Sequence, residues 1–184
     1  MCITLTPGPS LSRMEGFRVE EITGTDLVPL TFALRYRVWS KQVQLSENVQ
    51  RQGLISDDHE DHARHWGVLS DTEGLVASAR LCVHQSEQDI PEADCYTELS
   101  LPSPIASINR LVVEQFAQKR GFAQSLDLRR IEAARSAGAA CIVVAPTDDQ
   151  RVCALGKAAF SVTSSKCKSI YVNDVWFPVM VMYL

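Results

Sequence analysis

The sequence predicts a single α/β domain, and three observations carry that reading. Hydrophobic residues make up 46% of the 184 positions, enough for one sizeable core. No linker-like, low-complexity or repeated stretch divides the chain. Around residue 120 the patterns follow a fixed order: an apolar strand-like run over 108–113, a short polar loop, a helix-like run over 124–137, and a second apolar run over 141–145. That is strand, loop, helix, strand, with the connection length a parallel pair of strands needs.

The remaining elements follow along the chain. Residues 1–15, which include Pro7, Gly8 and Pro9, lack the basic start and apolar centre of a signal peptide and read as a loose lead-in to a domain over 16–184. Residues 17–22 alternate like a first strand. Thr25 or Asp26 caps a helix running through Leu34 and Trp39, with further helix or loop to about Ile55. Residues 65–69 and 75–83 form a hairpin around Ser70-Asp71-Thr72-Glu73-Gly74. The segment 85–104, with its acidic residues and prolines, is a long excursion and a candidate substrate lid or wall. After the central unit, whose helix stops at Ser136-Ala137-Gly138, Asp148 or Asp149 starts a short helix to Ala159, and residues 160–163 and 175–183 read as closing strands.

Charge and cysteine content narrow the function. A net charge of −4 and a pI near 5.6 argue against a nucleic-acid surface, which needs a basic stripe. No apolar run reaches membrane-spanning length. The expectation is a cytoplasmic protein without nucleic-acid or membrane partners. Cys2, Cys82, Cys95, Cys141, Cys153 and Cys167 are scattered without a Cys-x-x-Cys pair, so six free thiols are expected. Three of the four histidines stand at intervals of three in the stretch from Asp57 to His65. A segment entering a strand scatters such side chains, and we assign no metal.

The loop Gln118-Lys119-Arg120-Gly121-Phe122-Ala123 is the most specific feature. Opening a helix, it presents backbone N–H groups without partners at the positive end of the helix dipole, where a pyrophosphate binds largely through main chain. Gly121 and Ala123 keep side chains out of the way. No Gly-x-Gly-x-x-Gly turn and no Gly-Lys-Ser/Thr is present, so Rossmann and P-loop readings fit worse. The hexapeptide matches Gln/Arg-x-x-Gly-x-Gly/Ala, and Leu111-Val112-Val113 matches the Leu-x-Val strand end before it; on these residues the chain resembles the GNAT superfamily of acyl-CoA-dependent N-acyltransferases. The resemblance implies a mixed, mostly antiparallel twisted sheet, splayed at the motif strand, with helices on both faces. It also implies acetyl-CoA or another acyl-CoA held by residues 118–123, with main-chain N–H groups of Leu111, Val112 and Val113 at a bulge polarising the thioester. The acceptor is then an amine of a small molecule, and a homodimer is possible. Relatives carry Asn, a Tyr seven residues later and Gly-Phe on the following helix; here those places read Asp148, Leu155 and Ala159-Phe160. With no phenol there, water, Tyr171 or Cys153 must protonate the sulfur, or proximity carries the rate.

A second set of residues spans the chain: Arg35 or Arg37 before Val38-Trp39, Asp58-x-x-Asp61, Arg80 and Arg110. It resembles acyl-homoserine lactone synthases and N-acyl amino acid synthases, which place a Glu where Ser107 stands here. The resemblance implies that Asp58, Asp61, Arg80 and Arg110 organise the acceptor side of the cleft, by binding or deprotonating an α-amino group beside a carboxylate. A purely structural ion-pair network is the alternative for the same residues. The leading function is therefore acyl transfer to an amine, with long-chain N-acyl amino acid synthesis and a non-catalytic acyl-CoA-binding module as the other readings.

Overall fold

In the computed structural model, which describes residues 13–14, 16–168, 171 and 175–184, the chain folds around one sheet in the order β1-β2-β3-β4-β5-β6-β8-β7. Strand β1 (Arg13–Met14) pairs with β2 (Phe17–Glu21), and β3 (Arg64–Ser70) and β4 (Gly74–His84) form the expected hairpin. The motif strand β5 (Ile105–Val113) runs antiparallel to β4 and parallel to β6 (Cys141–Val144). Strand β8 (Trp176–Tyr183) lies between β6 and β7 (Ser161–Lys168). Every neighbouring pair except β5 and β6 is antiparallel. The lead-in expected over 1–15 lies outside the described residues apart from β1.

Alternating side chains divide the sheet into two faces. Helix α3 (Phe122–Ser136) covers one face, where Trp66, Val68, Ala79, Leu81, Ala106 and Ile108 meet Phe122, Leu126 and Ile131. Helix α1 (Val28–Trp39) covers the other, packing Leu34 and Val38 on Leu69, Leu75 and Val112. Its start differs from the sequence expectation. Thr25 Oγ1 donates to Ile22 O at 2.7 Å and so shapes the turn before the helix, and Pro29 occupies the first turn, where its missing N–H costs nothing. A short helix α2 (Glu47–Gln52) follows, and α4 (Asp149–Lys157) begins at Asp148, whose side chain accepts from Arg151 N at 2.8 Å.

The excursion over 85–104 packs Ile90, Tyr96 and Leu101 against Ile105, Cys141, Val143 and Val181, as a wall on the α1 face. One cysteine expectation is overturned there. Cys95 and Cys167 form a disulfide that joins the excursion to β7, with Cα atoms 4.7 Å apart. They lie 72 residues apart in sequence, so local spacing carries no trace of the pairing. Cys82, Cys141 and Cys153 are free, and Cys2 lies outside the described residues. No helix among the described residues is long and apolar enough to cross a membrane.

Candidate active site

The site is created by an irregularity in β5. Ser78 pairs with Val112 and Arg80 with Asn109, so Ala79 faces both Arg110 and Leu111. This is a β-bulge, and Arg110 sits in it with φ 55°. The extra residue inverts the alternation: Ala106 and Ile108 face α3 before it, Leu111 and Val113 after it. The bulge leaves Asn109 and Arg110 on the same, α1-side face. Pairing with β6 ends at Ser107 and β6 itself ends at Val144, so residues 108–113 of β5 have no sheet neighbour on that side.

The bulge is held from behind. Arg130 of α3, fully buried, donates from Nη1 to the carbonyl oxygens of Arg80 and Asn109, both at 3.2 Å. Asp127 fixes this guanidinium and also accepts from Arg151 Nη1 at 2.7 Å. Burial pulls Arg130 down to about 10, with Asp127 opposing. The helix that opens at the 118–123 loop thus also clamps the bulge.

On that loop Lys119 (φ 61°) and Gly121 (φ 81°) take left-handed conformations, and Gly121 is the N-cap of α3. A Cβ on Gly121 meets no atom within 4 Å, so the space above the helix start is open. Gln118 Nε2 donates to Val113 O at 3.2 Å, tying the loop to the strand end. Gln118, Lys119, Arg120 and Gly121 are exposed and Ala123 is half-buried. Phe122 differs: its ring is buried against Phe17 at 5.1 Å, so it has only main chain to offer a ligand. Val112 likewise points into the core below α1, while Leu111 and Val113 lie half-buried on the α3 face.

The α1-side face carries a buried charged cluster, and its acids are not those the spacing suggested. Arg80 meets Asp57 Oδ1 at 2.5 Å and Glu60 Oε1 at 2.7 Å. Arg110 meets Asp57 Oδ2 at 2.7 Å, and Arg35 meets Glu60 Oε1 at 2.5 Å. Asp58 and Asp61 are exposed, and among the described residues neither makes an ion pair with these arginines. The phase of the 3-10 turn Glu60–His62 and its approach decides this, by turning Asp57 and Glu60 inward and their neighbours outward. Arg37, the other candidate in α1, is half-exposed and pairs with Glu114 instead.

Three further members complete the cluster. Tyr171 accepts from Arg110 Nη2 at 3.0 Å, donates to Asp57 Oδ2 at 3.2 Å, and lies under the Arg110 guanidinium. Asn109 Oδ1 accepts from Arg80 Nε at 2.7 Å. Glu92, from the excursion, stands 3.7 Å from Arg110 Nη2. Burial alone would raise the Asp57 carboxyl, but hydrogen bonds from Arg80 and the charges of Arg110 and Arg80 hold it far below the usual range. For Glu92 burial wins over Arg110 and raises it. Burial pushes Tyr171 up to about 12. The Nε atoms of Arg35 and Arg110 have no partner among the described residues.

Ser107, which stands where the resembling synthases carry a glutamate, shares a 2.9 Å hydrogen bond with His84 Nε2. The three spaced histidines diverge: His59 stacks edge-on against His84, His62 is exposed and His65 is buried. Among the described residues no three His, Cys, Asp or Glu side chains gather as metal ligands do. Leu155 is fully buried in the core, so the helix position that carries a tyrosine in the resembling enzymes is a packing position here.

Neither a protein-family model nor a curated protein sequence matches this chain. Solved structures do. An N-acyl amino acid synthase from uncultured soil microbes superposes with a TM-score of 0.67 at 10% identity, over 91% of this chain and 90% of that one. A GCN5-related N-acetyltransferase from Kribbella flavida gives 0.59 at 17% identity, over 92% and 99%. A Bacillus subtilis acetyltransferase in complex with CoA gives 0.56 at 14% identity, over 91% and 99%. The chain has the GNAT fold. At these identities the likeness establishes architecture, as the hexapeptide and the strand before it implied, and the chemistry must be argued from this chain's own residues.

Proposed function

We propose that the protein transfers an acyl group, most simply acetyl, from an acyl-CoA to the amine of a small molecule that also carries a negative group. The observation that carries this reading is the bulge at Arg110. It turns Arg110 to the α1 face beside the charged cluster, on the stretch of β5 that has no partner in β6 and that leads to the helix-start loop. The α3 amides, with exposed Lys119 and Arg120 beside them, suit the pyrophosphate. Main chain of Leu111 to Val113 on the β6 side has no ladder partner, which leaves N–H groups for the thioester carbonyl.

The charged cluster supplies the acceptor side. Both oxygens of Asp57 and both of Glu60 are occupied by arginines, and a carboxylate so paired is a poor proton acceptor. Glu92 is held loosely and its proton affinity is raised, so it is the carboxylate suited to bind the ammonium and take its proton. Arg110 Nε is buried without a hydrogen-bond partner among the described residues, and is left to pair with a negative group on an acceptor that enters the site. Attack of the freed amine forms the C–N bond, and the C–S electron pair leaves with sulfur. Tyr171, which keeps its proton at neutral pH, is our choice of donor to that thiolate, and the surplus proton on nitrogen restores the phenol. Thiol release from acetyl-CoA and a long-chain acyl-CoA, measured against a panel of amines and amino acids, tests the reading; no amine-dependent release from any donor would refute it.

A second reading, N-acyl amino acid synthesis from a long-chain donor, is supported by the arginine and acid cluster and by the likeness to an N-acyl amino acid synthase. The same panel separates the two by donor length.

A further inference from the structure

We propose that Cys95 and Cys167 are a reversible redox pair that tunes the acceptor-side carboxylate Glu92; the consequence for turnover rests on the acyl-transfer reading above, whereas the redox chemistry itself does not. The pair joins the 3-10 turn Ala93–Cys95 of the excursion to β7. Cys167 is fully buried and Cys95 is half-buried, so the Cys95 sulfur is the one a reductant reaches. Glu92 begins the same turn in a left-handed conformation, φ 62°, which places its Oε2 3.1 Å from Cys167 Sγ. The described cysteines outside the pair are free and stand in other elements, Cys82 in β4, Cys141 in β6 and Cys153 in α4.

In the disulfide, Cys167 has no hydrogen to donate. A dithiol reductant opens it in two steps. One thiolate attacks Cys95 Sγ, the S–S bond breaks, and its electron pair leaves on Cys167. The second thiol then displaces Cys95 from the mixed disulfide, so two electrons and two protons have passed to the protein and the reductant ends as its own disulfide. A thiolate 3.1 Å from a buried carboxylate is strongly repelled, so Cys167 takes up a proton. Its S–H then donates to Glu92 Oε2. A hydrogen bond to the charged form favours that form, so reduction lowers the proton affinity of Glu92. The other groups facing Glu92 are Arg110 of β5, Arg80 of β4, Asp57, Tyr171 and, on its own segment, Tyr96. None of them changes covalently in the step.

The test follows Glu92 directly. Protein carrying 13C at the glutamate side-chain carboxyl is titrated by NMR in the oxidised and dithiol-reduced states, the Glu92 signal being assigned by its loss in Glu92→Gln. The midpoint should fall by roughly half a pH unit or more on reduction. Cys95→Ala, which leaves the Cys167 thiol in place, should titrate at the lower midpoint without reductant. Cys167→Ala should ignore reductant altogether. Equal midpoints in the two states, with alkylation and mass spectrometry showing the pair opened, would overturn the proposal; so would an oxidised chain in which both cysteines alkylate. Turnover is read separately: if an amine is acylated, the ascending limb of its pH profile shifts with the midpoint. If none is, the acyl-transfer reading fails while the NMR titration still decides this one.

Discussion

Asp57 and Asp58 are neighbours in the chain and opposite in consequence. Asp57 counters two buried arginines, so Asp57→Asn leaves uncompensated charge and should cost about 3–5 kcal/mol in urea unfolding, whereas exposed Asp58→Asn should stay within about 0.5 kcal/mol. Because the folded Asp57 carboxyl is depressed, its stabilisation is full above about pH 4, the unfolded value, and is lost only as pH falls further. His84 behaves differently. Burial, with His59 alongside, lowers it to about 4, against about 6.5 when unfolded. The unfolded chain therefore binds that proton first, and stability should decline as pH drops from about 6.5 towards 4. Melting temperature against pH reads this slope, which His84→Gln should flatten. The arginines were legible through the resemblance, but not their partners; Arg80 follows strand phase, whereas Arg110 reaches the α1 face only through the bulge. Asp57/Glu60 and Asp58/Asp61 are two pairs with the same spacing, and only the turn geometry chooses between them. Glu92 sits in a stretch without periodicity, and no local pattern could single it out.

At the scale of elements, the central unit was readable because a strand, a loop and a helix each leave their own period in the sequence. The bulge was expected only through resemblance, near Leu111 to Val113; its left-handed residue is Arg110, one position earlier, and no glycine marks it. Arg130 braces the bulge, since it donates to the Arg80 and Asn109 carbonyls on its two sides. Arg130→Met removes that brace and also frees Asp127, so a loss of about 3 kcal/mol or more is expected; Arg130→Lys should recover part of it. Hydrogen exchange at β5 and β4 amides reports whether the loss is centred on the bulge. Gly121 belongs to the same unit. A glutamate there puts a side chain and a negative charge where an anion is to bind, at a φ of 81° that side chains rarely adopt. Gly121→Glu should abolish CoA binding in calorimetry while far-UV circular dichroism stays near wild type.

Over the whole molecule, the sheet brings the helix-start loop and the charged cluster to a single strand, β5. On the proposed reading the α3 face of β5 leads to the loop for the donor and its α1 face carries the charges for the acceptor, both on the stretch of strand that β6 does not pair. Alternation along 17–22, the hairpin pattern of 65–69 and 75–83 and the apolar run over 108–113 made most of this sheet legible in advance. The long-range closures were not: the disulfide from the excursion to β7 and the placing of Tyr171 against Asp57 join residues 72 and 114 apart, and no sequence period reaches that far. Amine-dependent thiol release from acyl-CoA, with mass spectrometry of the N-acyl product, compares wild type, Gly121→Glu and Glu92→Gln in one experiment. The account predicts turnover by wild type, none by Gly121→Glu through lost binding, and a drop of roughly 100-fold in kcat for Glu92→Gln at unchanged acyl-CoA affinity; wild-type turnover that survives Gly121→Glu, or that Glu92→Gln leaves untouched, would contradict it.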